Sequence, residues 1–237
     1  MLESLNPTQK PDGAGERSYP GRLVIVEGLD GSGKSTQLHL LHRWLQHEGY
    51  PTYHTEWNSS PLVKSITSRS KSRRALTSFT FSLLHAADFA DRCERQILPL
   101  LEAGYIVLAD RYLYTAMVRD AARNCPPEWV AGNYSFAPTP DLALYYRTPL
   151  EVSLKRILRG RPSLKWHEAG MDLGLSHDPL ESFRLYQGRL QRYYDELAET
   201  GYLLTLDATR SVHELQKDTR RLFTEHIDLS QFNRTTT

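Results

Sequence analysis

Residues Gly28-Leu-Asp30-Gly31-Ser32-Gly33-Lys34-Ser35 follow the pattern G-x-x-x-x-G-K-S, with Thr36 next. Each fixed position has a task at a polyphosphate. Glycines let backbone N–H groups turn inward around phosphate oxygens, and the start of a helix adds partial positive charge. Lys34 can then reach the β- and γ-phosphates, and the Ser35 hydroxyl can ligate Mg²⁺. The motif works only between a strand and a helix. Both flanks are present: residues 22–27 (Arg-Leu-Val-Ile-Val-Glu) form an apolar, β-branched run, and residues 37–45 have helical spacing. These residues imply a bound nucleoside triphosphate.

A second constellation is Tyr105-Ile-Val-Leu-Ala-Asp110-Arg111-Tyr112, an apolar run ending in two opposite charges. Asp110 at a strand end can hold Mg²⁺ directly or through water, and Arg111 can fork onto a substrate phosphate. Such a pair is also common on surfaces; the strand-end position and the phosphate loop favour a role in a site.

Strands are predicted over residues 23–27, 51–55, 105–109, 142–146 and 202–206. Helices are predicted over 34–48, 79–103, 114–124, 150–158, 178–199 and 212–225. Strands separated by helices imply an α/β protein: a five-stranded parallel sheet covered by helices on both faces. In such a sheet ligands sit beyond the carboxyl ends of the strands, where both constellations fall. The 237 residues read as a flexible leader (1–20), one domain (21–228) and a flexible tail (229–237). Twenty-nine Lys and Arg balance 28 Asp and Glu, so no nucleic-acid polymer or anionic membrane is expected as partner. Cys93 and Cys125 form no disulfide framework or metal spacing, which suits the reducing cytoplasm. No apolar run is long enough to span a bilayer. The nine histidines show no metal spacing with a third ligand.

Two stretches interrupt the alternation. Residues 64–74 are a basic, serine-rich run, predicted as a loop that is either a solvated face or a cover for an anionic substrate. Residues 159–170 combine Arg159, Arg161, Lys165 and flanking glycines. They are expected to form a mobile lid (about 159–177) that excludes water and neutralises a migrating phosphoryl. Trp166 in that lid could cover adenine or the acceptor. Tyr186, Tyr193 and Tyr194 are expected to pack.

Val26-Glu-Gly-Leu-Asp-Gly-Ser-Gly-Lys-Ser-Thr36, Ala86-Ala-Asp88, Leu101-Glu-Ala-Gly104, Asp110-Arg-Tyr112 and Pro140-Asp-Leu142, in this order and spacing, resemble the thymidylate kinase family. The resemblance runs from about Arg22 to the last helix. It implies a three-layer α/β/α P-loop kinase fold, transfer of the γ-phosphoryl of Mg·ATP to a nucleoside monophosphate, and commonly a homodimer. By that resemblance Gly28, Gly31, Ser32, Gly33, Lys34, Ser35 and Thr36 hold ATP and its metal. Asp30 contacts the acceptor sugar, Arg111 holds the acceptor phosphate, and Asp110 sits near Mg²⁺. Some members carry an arginine inside the phosphate loop. Here Gly31 and Ser32 occupy that region, so the charge is expected from Arg159 and Arg161.

The acceptor side departs from the family. Its Arg-Glu-Pro-Gly-Gly-Thr-Pro-Leu segment reads Thr55-Glu56-Trp57-Asn58-Ser59-Ser60-Pro61-Leu62 here, and the phosphate-clamping arginine is Thr55. His85 stands where a phenylalanine stacks on thymine, and Phe89 where an arginine reads the base. Ser-x-x-Ala-Tyr-Gln becomes Thr115-Ala-Met-Val-Arg119-Asp120. The acceptor is therefore expected to be something other than dTMP, or dTMP held by a rewired set in which Arg119 and Asp120 replace lost contacts. Glu56, Trp57, His85, Phe89, Arg111, Thr115 and Arg119 are the candidate acceptor residues. Two other readings stay open: a kinase for an unphosphorylated nucleoside, with Glu56 as base for its hydroxyl, and a nucleotide-binding regulatory protein with no acceptor.

Overall fold

The computed structural model describes residues 19–233; the expected leader, except for its last two residues, and the last four residues of the chain lie outside them. Five strands form one parallel sheet: β1 (Arg22–Glu27), β2 (Thr52–Glu56), β3 (Ile106–Asp110), β4 (Leu142–Arg147) and β5 (Leu204–Asp207), in the order β2-β3-β1-β4-β5. Side chains alternate across it. Leu23, Ile25, Val107 and Ala109 enter one core with Phe89, Tyr112 and Tyr194; Val24, Val26, Ile106, Leu108 and Leu144 enter the other with Leu38, Leu41 and Phe223. Burial on both faces is why the central strands read as continuous apolar runs.

The helices fall on both sides. They are α1 (Lys34–His47), α2 (Lys64–Ser72), α3 (Ser78–Arg92), α4 (Leu98–Glu102), α5 (Leu113–Ala121), α6 (Pro127–Asn133), α7 (Leu150–Gly160), α8 (Pro179–Glu199) and α9 (Val212–His226). Register sets the site. Val26 pairs with Asp110, and Asp110 with Glu56, so three strand ends finish level.

Four expectations change. The basic run at 64–74 is helical as far as Ser72, because it holds no glycine or proline, and Lys64 N donates to Ser60 O. The long helix expected over 79–103 is interrupted by a π-turn, Cys93–Ile97, immediately before Pro99. Proline has no N–H for the carbonyl four residues back, and a widened turn accommodates that loss. Helix α6 was not expected; Pro127 supplies its preset first turn. The expected tail packs further than its polarity suggests. Leu229–Gln231 forms a 3₁₀ turn and Phe232, only 7% exposed, joins the core beside α9.

Candidate active site

A cavity of about 800 Å³ opens beyond the ends of β1, β2 and β3. Its donor wall is the phosphate loop. Gly31 has φ +81°, and a Cβ there would stand 2.6 Å from Ser153 O, so α7 packs directly against the loop. Gly33 has φ +92° and open space where a side chain would be, which leaves the inside of the loop clear. No side chain caps α1 and no acid lies in its first turn, so its partial positive end is unneutralised. Lys34 is 5% exposed. Burial, followed by the nearby Arg111 cation, lowers its pKa, while Asp110 and Asp30 oppose the shift. Lys34 and Ser35 both line the cavity. An uncapped helix start beside a buried lysine with no ion pair among the described residues fits a polyphosphate. Ser35 and Asp110, both with side-chain oxygens, line the same cavity. The described residues contain no group of three His, Cys, Asp or Glu that could hold a metal ion.

The opposite wall centres on Arg111. Its backbone has φ +68°, unusual for a residue with a side chain. Two main-chain bonds hold it: its N–H donates to Val26 O (3.0 Å), and its O accepts from Arg92 Nη2 (2.9 Å). Its guanidinium donates to Gly28 O (3.2 Å), to Thr115 Oγ1 (3.2 Å) and to Asp30. Arg119 lies 3.6 Å from the other Asp30 oxygen. Burial would raise the Asp30 pKa, but Arg111, Arg119 and Lys34 outweigh it and hold the carboxylate ionised well below its usual range. Burial likewise disfavours the Arg111 charge, and Asp30 overrides it, raising that pKa.

Behind Arg111 lies Glu27, fully buried at the end of β1. It accepts from Tyr112 N (2.9 Å), Thr115 N (3.1 Å), Thr115 Oγ1 (2.5 Å) and Tyr194 OH (2.9 Å). Burial raises its pKa despite those bonds. Thr115 is thus a strut between Glu27 and Arg111 and is itself fully buried.

The expected residues divide clearly. Asp30, Lys34, Ser35, Glu56, Trp57, Asp110, Arg111 and Arg119 all line the cavity. Phe89 does not: it is fully buried among Trp57, Tyr112 and Tyr134. His85 is also behind the wall, 3% exposed and accepting from Trp57 Nε1 (3.1 Å). Position along α3 decides both: Phe81, one turn before His85 on the same face, reaches the cavity, while His85 and Phe89 lie further along that face, packed against Trp57. Asp120 is turned inward to Ser82 Oγ (2.5 Å) and burial raises its pKa to about 6. Thr55, at the clamp position, donates to Gln96 Oε1 (2.8 Å). Arg159 is exposed at the end of α7 and off the cavity wall, and Arg161 pairs with Glu168.

Three contributors escaped the sequence reading, and a fourth, Lys71, comes from the basic run at 64–74 that was read as either a solvated face or a cover for an anionic substrate. Arg156, on the same helix as Arg159, donates to Ser32 O (3.2 Å) and Ala208 O (2.9 Å) and ties the phosphate loop to the segment after β5. Arg123, one turn past Arg119, pairs with Asp172 of the lid (2.9 Å) and lines the cavity. Lys71 and Phe81 complete that side. The charges were visible in the sequence, but their direction depends on helix phase.

A family model described as thymidylate kinase matches residues 26–219. A probable thymidylate kinase of Saccharolobus solfataricus is 44% identical over 212 residues, covering 89% of this chain and 99% of that relative. A probable thymidylate kinase of Pyrococcus horikoshii is 39% identical over 147 residues (59% of this chain and 72% of the relative). A thymidylate kinase of Desulfotalea psychrophila is 36% identical over 143 residues (60% and 71%).

Proposed function

This chain belongs to the thymidylate kinase family of nucleoside monophosphate kinases, and we propose that it transfers the γ-phosphoryl of Mg·ATP to dTMP, which it holds with a rewired set of residues. The carrying observation is the Asp30–Arg111–Arg119 bridge facing Lys34 across one cavity. A bare nucleoside needs no buried arginine at that place; an acceptor phosphate does. Bound Mg·ATP supplies the electrophilic phosphorus and a leaving ADP.

The chain's own groups do the positioning. Loop N–H groups and Lys34 hold the donor phosphates, with Ser35 and Asp110 toward the metal. Arg111 holds the acceptor phosphate, and Asp30 fixes Arg111 while facing the acceptor sugar. Arg161, Lys165 and, with lid movement, Arg159 bring positive charge over the transferring group. Glu56 and Trp57 line the acceptor end.

Incubation with Mg·ATP and a panel of nucleosides and nucleoside monophosphates tests this, with ADP and phosphorylated product both measured. dTDP formed from dTMP is the expected result. Product from unphosphorylated nucleosides alone would shift the role of base to Glu56, and ADP with no acceptor product would leave a regulatory ATPase.

A homodimer and a cytoplasmic setting belong to the same proposal. Phe79, Leu83 and Phe136 are large apolar residues about half exposed, and light scattering would measure the dimer. Cys93 and Cys125 are buried free thiols. No helix among the described residues is long and apolar enough to cross a membrane.

A further inference from the structure

Lys71 sits in the last turn of α2 and lines the cavity. Its ammonium lies 5.3 Å from the centre of the Phe81 ring. Arg74, just past α2, stacks 3.7 Å over the ring of Trp166 and joins this turn to the lid. The cations near Lys71 are Arg119 of α5, Arg123 after it and Lys165 of the lid, with His167, whose pKa burial lowers, beside them. From α3 come His85 and the acid Asp88, and Asp30 and Glu168 line the same cavity.

The neighbours of Lys71 are already engaged. Arg119 pairs with Asp30 and Arg123 with Asp172. Asp88 accepts from Asn58 N (2.9 Å) and Ser60 N (2.9 Å). Lys71 has no ion pair among the described residues. A desolvated ammonium among cations is unfavourable unless a ligand brings it an oxygen. The two positions expected to stack on and read the acceptor base, His85 and Phe89, are behind the wall. At this end Phe81 offers an apolar ring and Lys71 a donor.

We propose that Lys71 reads the acceptor base, donating from its ammonium to a ring carbonyl oxygen beside the Phe81 platform. This rests on the dTMP reading and deepens it. An ammonium has donors only, so it suits a pyrimidine with a 4-carbonyl and opposes one with a 4-amino group. That opposition is the repulsive element that selectivity requires. Burial, with Arg119 and Arg123 adding to it, lowers the Lys71 pKa to about 8. The ammonium therefore donates fully below that pH and loses its charge above it. The KM for dTMP should rise as pH passes 8, while the KM for ATP stays flat.

Steady-state kinetics with dTMP and dCMP test the assignment on the full chain. Lys71→Met should raise the dTMP KM about tenfold, the loss expected for a hydrogen bond to a charged group. Its kcat should stay within about threefold, and its preference for dTMP over dCMP should shrink. Lys71→Arg keeps its charge, so the alkaline rise in dTMP KM should vanish whatever its absolute value, with melting curves confirming both variants folded. An unchanged dTMP KM in folded Lys71→Met, or an alkaline rise that persists in Lys71→Arg, overturns the assignment alone. Wild-type protein that forms no dTDP overturns the acceptor reading and this assignment with it.

Discussion

On the donor side of the cavity, one short stretch from Gly28 to Ser35 turns its backbone and a single lysine toward the same point. On the acceptor side, contacts come from β2, α2, α3, α5 and the lid, and most are side chains. A loop that binds through main-chain N–H groups tolerates change in its neighbours, because the turn itself sets the geometry. A wall of side chains can be rebuilt by moving one residue by a helical turn, as Phe81 and His85 show. The difference accounts for a chain that keeps its family's donor motif and alters its acceptor motifs.

The largest test of this division is Lys34→Met. Loss of the one cation inside the loop should lower kcat by on the order of 10²–10³-fold, measured by ADP release with dTMP saturating. Full activity would show that the loop lysine does not hold the transferring phosphate. Arg111→Met comes next and probes where the walls meet, since Arg111 donates to Gly28 O and Asp30 in the phosphate loop and to Thr115 Oγ1 on its own side. The kcat/KM for dTMP should fall roughly 10²-fold, as for a lost charge-assisted contact, with the ATP KM within a few-fold. Equal losses for both substrates would show that the two walls act as one.

Phe89→Ala should cost about 3–5 kcal/mol of stability in urea unfolding, as for a buried aromatic ring, with little change in the dTMP KM of the folded fraction. Phe89→Arg, which restores the residue type usual in the family, should unfold the protein instead of improving dTMP binding. Tighter dTMP binding by that variant would put the position back on the acceptor wall.

The smallest effect concerns the seam between α1 and β2. Here His54 meets His39 and His42, with ring centres 4.5 and 6.0 Å apart. Burial, then the charge of His39, lowers the His54 pKa to about 4 from an ordinary 6.5. The unfolded chain therefore takes up this proton first. Stability is unaffected above pH 6.5 and is lost as pH falls from 6.5 toward 4. His54→Gln should flatten the fall in melting temperature over that interval; the same slope in both proteins would show that the cluster is well hydrated.

Much of the fold was legible because its signals are local. All five strands appear within a residue or two of their expected bounds. Buried parallel strands are continuous apolar runs, and glycines such as Gly49, Gly104 and Gly201 mark the turns before three of them. What was missed is less local. Helix α2 looked like a loop because its composition is polar, although nothing in it breaks a helix. Phe232 looked like part of a tail because only its contact with the α9 side of the core reveals its burial.

By itself the sequence determined the parallel sheet, the phosphate loop with Lys34 and Ser35, and the Asp110-Arg111 strand end. In each, neighbouring residues along the chain are also neighbours in the site. Only the tertiary structure decided that Arg111 is clamped by Asp30 and supported by Glu27, that Phe89 belongs to the core, and that Lys71 reaches the cavity. Those outcomes depend on a residue's position along its element and on contacts between elements far apart in sequence, which set the surroundings of a side chain independently of its type.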